Sequence, residues 1–191
     1  MKSIVIDELI DSIEALDMVA PGKLTLAIQR LNTEDVALLA ERVHHENRDR
    51  SWKAAVILSY VNHPVTLETM RQLLTANHPF LGHIAFDTLE RYAPDEDIQT
   101  FVKALPQSIA TLQPRLVRLI EKRGDKRAIP VLMTLLPKAK SSLLRLTIIQ
   151  ALGVLGDDEV REVIEGYVED DDHHVRKRAM IALEQLTPSE R

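Results

Sequence analysis

Two side chains with the chemistry of a reactive site, His83 and Asp87, stand four residues apart and so share one face of a predicted helix. An imidazole and a carboxylate placed in this way could bind a metal, or act as a base and its orienting acid. A metal would need further ligands, and His78 lies one turn away in a predicted loop. A catalytic pair would need a nucleophile, and no Ser, Thr or Lys stands at a suitable spacing. We expect a surface hydrogen bond here, without a metal or catalytic site.

Two further groups of histidines could either bind a metal ion or have a structural role. His44 and His45 end a predicted helix, where cationic side chains complement the helix dipole. The run Glu-Asp-Asp-Asp-His-His at residues 169–174 could bind a divalent cation weakly. Acids that precede a helix more commonly cap its N-terminus, and we expect residues 169–174 to be such a loop.

Composition excludes several classes of function. The 191 residues carry a net charge of −5, with 45% hydrophobic residues, 4% aromatics and no Cys. The absence of Cys excludes disulfides, Cys-ligated zinc and thiol nucleophiles, and the sequence indicates no cofactor. Few aromatics argue against stacking on single-stranded nucleic acid. The most apolar run, 128–137, is broken by Pro130 and is too short to span a bilayer, and the acidic start of the chain is unlike a signal peptide. We therefore expect a cytoplasmic protein that does not bind membranes.

The elements that must position these side chains repeat along the chain. Apolar residues recur at helical spacing nearly everywhere. A leucine-like position late in every second helix returns at intervals of 30 to 32 residues: Ile28, Leu58, Leu89, Ile120, Leu152 and Leu183. This period predicts an all-α protein, an α-solenoid with a right-handed superhelix of about six antiparallel helix pairs. The predicted repeats form a single domain, 1–191, and span 3–32, 33–62, 63–93, 94–124, 125–156 and 157–187.

The last repeats resemble a known family. Leu144-Arg145, Gln150-Ala151-Leu152-Gly153 and Leu155-Gly156-Asp157 resemble the HEAT-like repeat named after phycobilisome lyases, as does the segment 175–183. The segment 125–132 is similar to that family's first helix, and the match is clear over 125–186. The family includes lyase subunits, iron-dependent hydroxylases, immunity proteins and scaffolds, so the resemblance implies a fold more than a function.

The same resemblance assigns roles to single residues. It implies that the repeated arginines and aspartates bridge successive repeats, and we assign the arginines Arg145 and Arg176 to structure. Asp125 and Asp157 occupy the aspartate position. The family's hydroxylases carry repeated His-Glu pairs at the start of second helices. The one such pair here, His45-Glu46, stands elsewhere in its repeat, which argues against a di-iron site.

In solenoids of this type the second helices line the concave face, where ligands usually bind. The residue two before each leucine-like position should mark the exposed stripe, which gives Leu26, Val56, Asp87, Arg118, Gln150 and Ile181. One turn earlier stand Gly22, Trp52, His83, Pro114, Leu146 and Lys177. Trp52 is either an exposed interaction hot spot or a cap on the core between two repeats. The predicted partner-binding residues are Trp52, Lys53, Tyr60, His83, Asp87, Arg91, Arg115, Arg118, Lys122 and Gln150.

Charge is uneven along the chain. Residues 112–145 hold nine basic and two acidic side chains, whereas residues 1–111 hold ten and sixteen, and residues 146–191 hold five and eleven. A basic band between acidic ends could receive an acidic protein segment or a phosphate-bearing ligand. The overall negative charge argues against nucleic acid, because phosphate-driven binding needs a broad basic field.

Three functions follow from these observations. The first is a non-catalytic scaffold or adaptor that binds a protein partner, possibly through an acidic segment, on the concave face. The second, implied by the family resemblance alone, is a bilin or tetrapyrrole lyase or lyase-chaperone, in which Arg115 and Arg118 would clamp propionates and Trp52 or Tyr60 would stack on the pigment. The third is nucleic-acid binding through the band 112–145. The first needs no catalytic residues, and we favour it.

Overall fold

The computed structural model describes residues 2–13 and 27–186, with side chains from residue 6 onward. Within these ranges the chain is helical and forms no strand. The α-helices are α1 (Lys2–Asp11), α2 (Thr33–Arg42), α3 (Arg48–Leu58), α4 (Pro64–Leu73), α5 (Leu81–Tyr92), α6 (Ile98–Ala104), α7 (Gln113–Arg123), α8 (Ile129–Leu135), α9 (Ser142–Leu155), α10 (Arg161–Glu165) and α11 (His173–Gln185). Short 3-10 helices at Leu105–Gln107, Lys126–Ala128, Leu136–Lys138 and Asp158–Val160 extend or precede some of them. None of the helices in these ranges has the length and apolar character needed to cross a membrane.

The helices form two compact units, residues 1–96 and 97–191. In the first unit α2 packs on α3 and α4 on α5, while α3 also contacts α5. In the second unit α6 packs on α7, α8 on α9 and α10 on α11, and α9 lies between α7 and α11. Stacking of one helix pair on the next is the construction of a solenoid, so the predicted all-α solenoid class is confirmed. The single domain and the six repeat boundaries remain predictions, and the first predicted repeat includes residues 14–26, which lie outside the described residues.

The sequence sets most helix boundaries through capping residues. Asn32 caps α2 in a capping box, because its side chain accepts hydrogen bonds from the N–H groups of Glu34 and Asp35 while Asp35 accepts from the N–H of Asn32. His63 caps α4 through Nδ1, and Pro64 occupies the first turn, where a proline costs no hydrogen bond. Gly124 ends α7 with φ +68°, a conformation that glycine adopts without strain. Each of these residues marks the boundary of a helix.

The leucine-like position lies in the core. Leu58, Leu89, Ile120 and Leu152 are completely buried, whereas Ile28 and Leu183, near the two ends of the described residues, are half-buried. The period of about 31 residues thus corresponds to one buried anchor for each stacked helix pair. Each such side chain contributes about 1.5–3 kcal/mol by its burial.

Helices α9 and α11 approach each other closely at one glycine. A Cβ atom placed on Gly153 would lie 2.7 Å from the Cβ and 2.9 Å from the Cα of Ala182. These distances are shorter than van der Waals contact, and one of the two atoms belongs to the backbone. The small residue is therefore required by the packing of the two helices and not by the local backbone conformation.

Ion pairs also join helices within the first unit. Asp7 on α1 accepts hydrogen bonds from Arg42 Nε at 3.0 Å and Nη2 at 3.2 Å, and from Arg50 Nη2 at 2.9 Å. The bond from Arg42 lowers the pKa of the Asp7 carboxyl below its usual value, although partial burial acts in the opposite direction. Asp7 therefore links α1 to both α2 and α3.

We expect Gly153→Ala to destabilise the protein by about 1–2 kcal/mol. The crowding costs about 2–3 kcal/mol, the upper part of the range for overpacking, because the Cα of Ala182 would lie only 2.9 Å from the new Cβ. The higher helix propensity of alanine offsets roughly 1 kcal/mol of this cost. Urea unfolding followed by circular dichroism measures the difference. Gly166→Ala is the matched control, because its Cβ would lie 3.5 Å from the nearest atom, the carbonyl oxygen of Val163. Equal stability of the two variants would show that α9 and α11 are not this close.

The ion pair of Asp7 predicts a dependence of stability on pH. Because the folded state lowers the pKa of Asp7, this carboxylate stabilises the fold above its unfolded pKa of about 4, and the contribution disappears as pH falls through the folded value. Wild type should therefore exceed Asp7→Asn in unfolding free energy at pH 7, with a difference that shrinks below about pH 4. The exposed neighbour gives the control Glu8→Gln, whose difference from wild type should stay small throughout. A constant Asp7→Asn difference down to pH 3 would contradict this assignment.

Candidate functional site

The predicted binding residues divide between the two units. Six of them, Trp52, Lys53, Tyr60, His83, Asp87 and Arg91, lie in the first unit, and four, Arg115, Arg118, Lys122 and Gln150, lie in the second. The prediction of which residues form the exposed stripe is only partly correct. Asp87 and Arg118 are exposed, but Val56 and Pro114 are buried, because they pack into the core of their own units. Leu26 and Gly22 lie outside the described residues.

Trp52 lines a surface cleft in the first unit and is half-buried there. The cleft has a volume of about 280 Å³ and is lined by Arg48, Asp49, Trp52, His78 and Phe80. Phe80 immediately precedes α5 and is 58% exposed. The cleft therefore combines the single tryptophan of the chain with an exposed phenylalanine and one side chain of each charge. Trp52 is thus partly accessible to solvent.

Hydrogen bonds hold the walls of the cleft in place. Arg48 Nη2 donates to the carbonyl oxygen of Asn77 at 2.9 Å, which ties α3 to the loop before α5. The N–H of Phe80 donates to Nδ1 of His78 at 3.2 Å, and the two rings meet edge to face with centroids 6.0 Å apart. Burial lowers the pKa of His78, and the charge of Arg48 lowers it further. His78 is therefore neutral at pH 7, and its Nδ1 is occupied as an acceptor.

Tyr60 and Arg91 form a second exposed group in the first unit. The Arg91 guanidinium carbon lies 5.9 Å from the centroid of the Tyr60 ring and 5.7 Å from that of Tyr92. Arg91 Nη1 also donates to the carbonyl oxygen of Ser59 at 3.3 Å. Tyr60 is 49% exposed, so the group presents an aromatic face and a positive charge to solvent.

The other predicted binding residues of the first unit do not line the Trp52 cleft. Lys53 pairs with Asp49 at 2.8 Å, and its side chain is only 14% exposed. His83 is half-buried, and Asp87 on the same helix is exposed. The residues lining the Trp52 cleft are His78 and Phe80 rather than His83 and Asp87.

In the second unit Arg118 and Lys122 project from α7 into solvent. Arg115 is half-buried on the same helix. Gln150 on α9 donates to Glu121 Oε1 at 2.8 Å, so its amide joins two neighbouring second helices. Gln150 is thus partly committed to structure, while Arg118 and Lys122 offer positive charge on the surface.

The acidic loop 169–174 acts in structure. Asp172 caps α11 by accepting from the N–H of His174 at 2.7 Å, and hydrogen bonds from Ser142 and from this N–H lower the pKa of Asp172. Arg145 Nε lies 3.0 Å from Asp170 Oδ2, and Nη2 donates to Oδ1 at 3.1 Å. Among residues 6–13 and 27–186, no group of three or more His, Asp or Glu side chains is placed to hold a metal ion.

The arginines and aspartates of the repeat pattern act in different ways. Arg145 bridges one helix pair to the next through Asp170, as the resemblance implies. Arg176 donates to the backbone carbonyls of Asp170 and Asp171, within its own pair. Asp125 and Asp157 cap the short 3-10 helices that follow them.

Sequence reasoning missed Phe80 as a binding candidate. It precedes a helix instead of lying on its exposed stripe, and a search along second helices passes over it. The signal that could have found it is the pair of loop residues His78 and Phe80 flanking Pro79, a large apolar side chain in a turn where polar residues are usual.

Comparison with known proteins agrees with this architecture. Residues 110–184 match the family model for HEAT repeats. The crystal structure of an engineered protein, a Northeast Structural Genomics Consortium target, is similar in fold, with a TM-score of 0.50 and 17% identity over 96% of this chain and 87% of that one. No curated protein sequence matches the chain. Residues 110–184 are therefore similar to HEAT repeats, and the solved structure is similar to this chain in its helical-repeat fold.

The bridge between Arg145 and Asp170 gives a test of the repeat junction. We expect Asp170→Asn to cost about 1–3 kcal/mol, because Asn retains the acceptor for the N–H of Asp172 but leaves the largely buried guanidinium without its counter-charge. Thermal and urea unfolding provide the measurement. The exposed neighbouring acid supplies the control Asp171→Asn, which should change stability by less than 0.5 kcal/mol or so. A neutral Asp170→Asn would remove this ion pair from the account of the fold.

Proposed function

We propose that the chain is a non-catalytic scaffold that binds a protein partner, and that the Trp52 cleft is its docking site. The observation that carries the proposal is the half-buried Trp52 beside the exposed Phe80, with Arg48 and Asp49 at the edge. Tryptophan and arginine dominate the binding energy of protein interfaces, most of all in pockets that exclude water on binding. An exposed phenylalanine costs solubility, and a partner that covers it recovers the free energy of its burial.

The cleft is suited to binding without large rearrangement. Arg48 is fixed by Asn77, and the Phe80 backbone is fixed by His78, so partner binding would order few additional groups. The same hydrogen bonds argue against catalysis, because the imidazole nitrogen that could accept a proton is already used by a backbone N–H. Tyr60 and Arg91 would extend the surface for the partner within the first unit.

Three narrower predictions from the sequence accompany this proposal. The partner presents an acidic segment to the basic side chains Arg118 and Lys122. The chain acts in the cytoplasm. Its repeats belong to the phycobilisome-lyase type, without lyase activity. None of these is needed for the Trp52 cleft to bind a partner.

The proposal is tested by Phe80→Asp. This change removes the exposed apolar side chain of the cleft and places a carboxylate at the N-terminus of α5, where it complements the helix dipole, so the fold should not weaken. Tagged wild type and variant are expressed in the native host, and copurified proteins are quantified by mass spectrometry. We expect a partner recovered with wild type to fall at least tenfold with Phe80→Asp.

The matched control is Met180→Asp, which removes an equally exposed apolar side chain from α11 in the second unit. It should retain the partner. The fluorescence of Trp52, the single tryptophan, then provides a direct titration with the purified partner, and its emission should shift on binding. Undiminished recovery with Phe80→Asp, or an unchanged emission of Trp52 on saturation, would contradict the proposal.

A further inference from the structure

The second unit carries a larger groove that the proposed function does not use. It has a volume of about 620 Å³ and is lined by α8, by the segments that follow α6 and α8, and by the starts of α7 and α9. Its floor is formed by Leu135 and Leu144, which are nearly buried, and its walls include Pro106, Pro130 and Val131. Most of its lining comes from the first helix α8 and from the segments between helices, and only the starts of the second helices α7 and α9 contribute.

Two polar side chains in the lining of this groove already donate hydrogen bonds to backbone carbonyl groups. Thr134 Oγ1 donates to the carbonyl oxygen of Pro130 at 2.8 Å, so its methyl group is left for the groove. Gln113 Nε2 donates to the carbonyl oxygen of Leu105 at 3.2 Å. Proline at 106 and 130 contributes no N–H. The result is a trough that offers little hydrogen bonding to water and is favourable for burying an apolar side chain.

The charged side chains of the lining have one sign. Lys138 and Lys140 are exposed at its edge, and no Asp or Glu lines it. Among the described residues neither lysine has an ion-pair partner. Because Lys140 nearly adjoins the start of α9, the positive end of that helix dipole adds to the potential there. A ligand that places an apolar group in the trough and a carboxylate at its edge would satisfy both properties.

We propose that this groove binds a short peptide segment of a protein partner that combines apolar side chains with adjacent Asp or Glu residues. Charge complementarity selects the acidic peptide over a neutral one, since the lysine pair repels cations and attracts carboxylates. The groove is a trough between helices that is open to solvent. An extended peptide could therefore lie along it and continue beyond both ends. This surface is distinct from the Trp52 cleft, so either site can bind without the other.

A peptide selection with the full chain tests this proposal. Phage-displayed random 12-residue peptides are panned against the wild type, and the enriched peptides are synthesised with a fluorescent label. Their affinities are then measured by anisotropy. We expect the enriched sequences to combine two or more large apolar residues with an excess of Asp and Glu. Their affinity should fall severalfold between 50 and 500 mM NaCl, because screening weakens the contacts to the lysines.

Two variants test the groove itself. Lys138→Glu with Lys140→Glu reverses its charge, and Thr134→Trp fills it from an exposed position. Each should weaken the selected peptides at least tenfold. The control, Lys126→Glu with Lys177→Glu, changes the net charge by the same amount at exposed positions outside the groove and should weaken binding less than twofold.

Several outcomes would overturn the proposal. They are a selection without an acidic excess, no enriched peptide at all, or binding that survives both groove variants. Two further results would assign the groove to another occupant. One is binding of decanoate with the same sensitivity to the variants while no peptide binds. The other is a dimer in sedimentation equilibrium that the lysine reversal dissociates. Loss of the partner with Phe80→Asp tests the Trp52 cleft separately and does not bear on this result.

Discussion

The stability of this chain depends on the stacking of each helix pair on its neighbours, because an isolated pair of amphipathic helices leaves one apolar face exposed. Helix α9 shows the consequence. It lies between α7 and α11, and eight of its fourteen residues are buried. Its contact with α11 is so close that Gly153 has no room for a Cβ beside Ala182. Few positions along such a helix remain for recognition, since its faces are occupied by neighbouring helices.

Ion pairs between charged side chains connect helices that also pack through apolar contacts. Asp7 connects α1 with α2 and α3, and Arg145 connects α9 with the loop before α11. Arg71 on α4 binds Glu96 through two hydrogen bonds of 3.0 and 2.8 Å, and the Glu96 side chain is only 9% exposed. Bidentate pairs of this kind fix relative orientation, which hydrophobic contact alone does not. Each of them joins side chains from two separate segments of the chain.

The sequence predicted the fold well because the fold is periodic. The leucine-like positions at 58, 89, 120 and 152 are all buried, and a proline, glycine or capping residue marks each described break. The residues of the candidate site were harder to predict from the sequence than the fold. Counting two residues back from the leucine located Asp87 and Arg118 on the surface but also selected the buried Val56. The spacing of apolar residues predicts which face of a helix is buried. The position of a loop against a neighbouring helix depends instead on contacts between segments that are far apart in sequence. The arrangement of Trp52 with His78 and Phe80 is such a contact.

This division between helices and loops explains where recognition can occur. The Trp52 cleft includes the N-cap position of α5, and the groove of the second unit includes the residues before α9. In both places the side chains that face solvent contribute little to the buried anchors of the repeats. A change there alters chemistry without disturbing the stack, and the two surfaces accordingly differ. The first has aromatic rings and both signs of charge, whereas the second is apolar with lysines alone. The exposed side chains of the two surfaces, such as Phe80 and Lys138, are not among the buried anchors of the repeats, so their chemistry can differ while the helix stack stays the same.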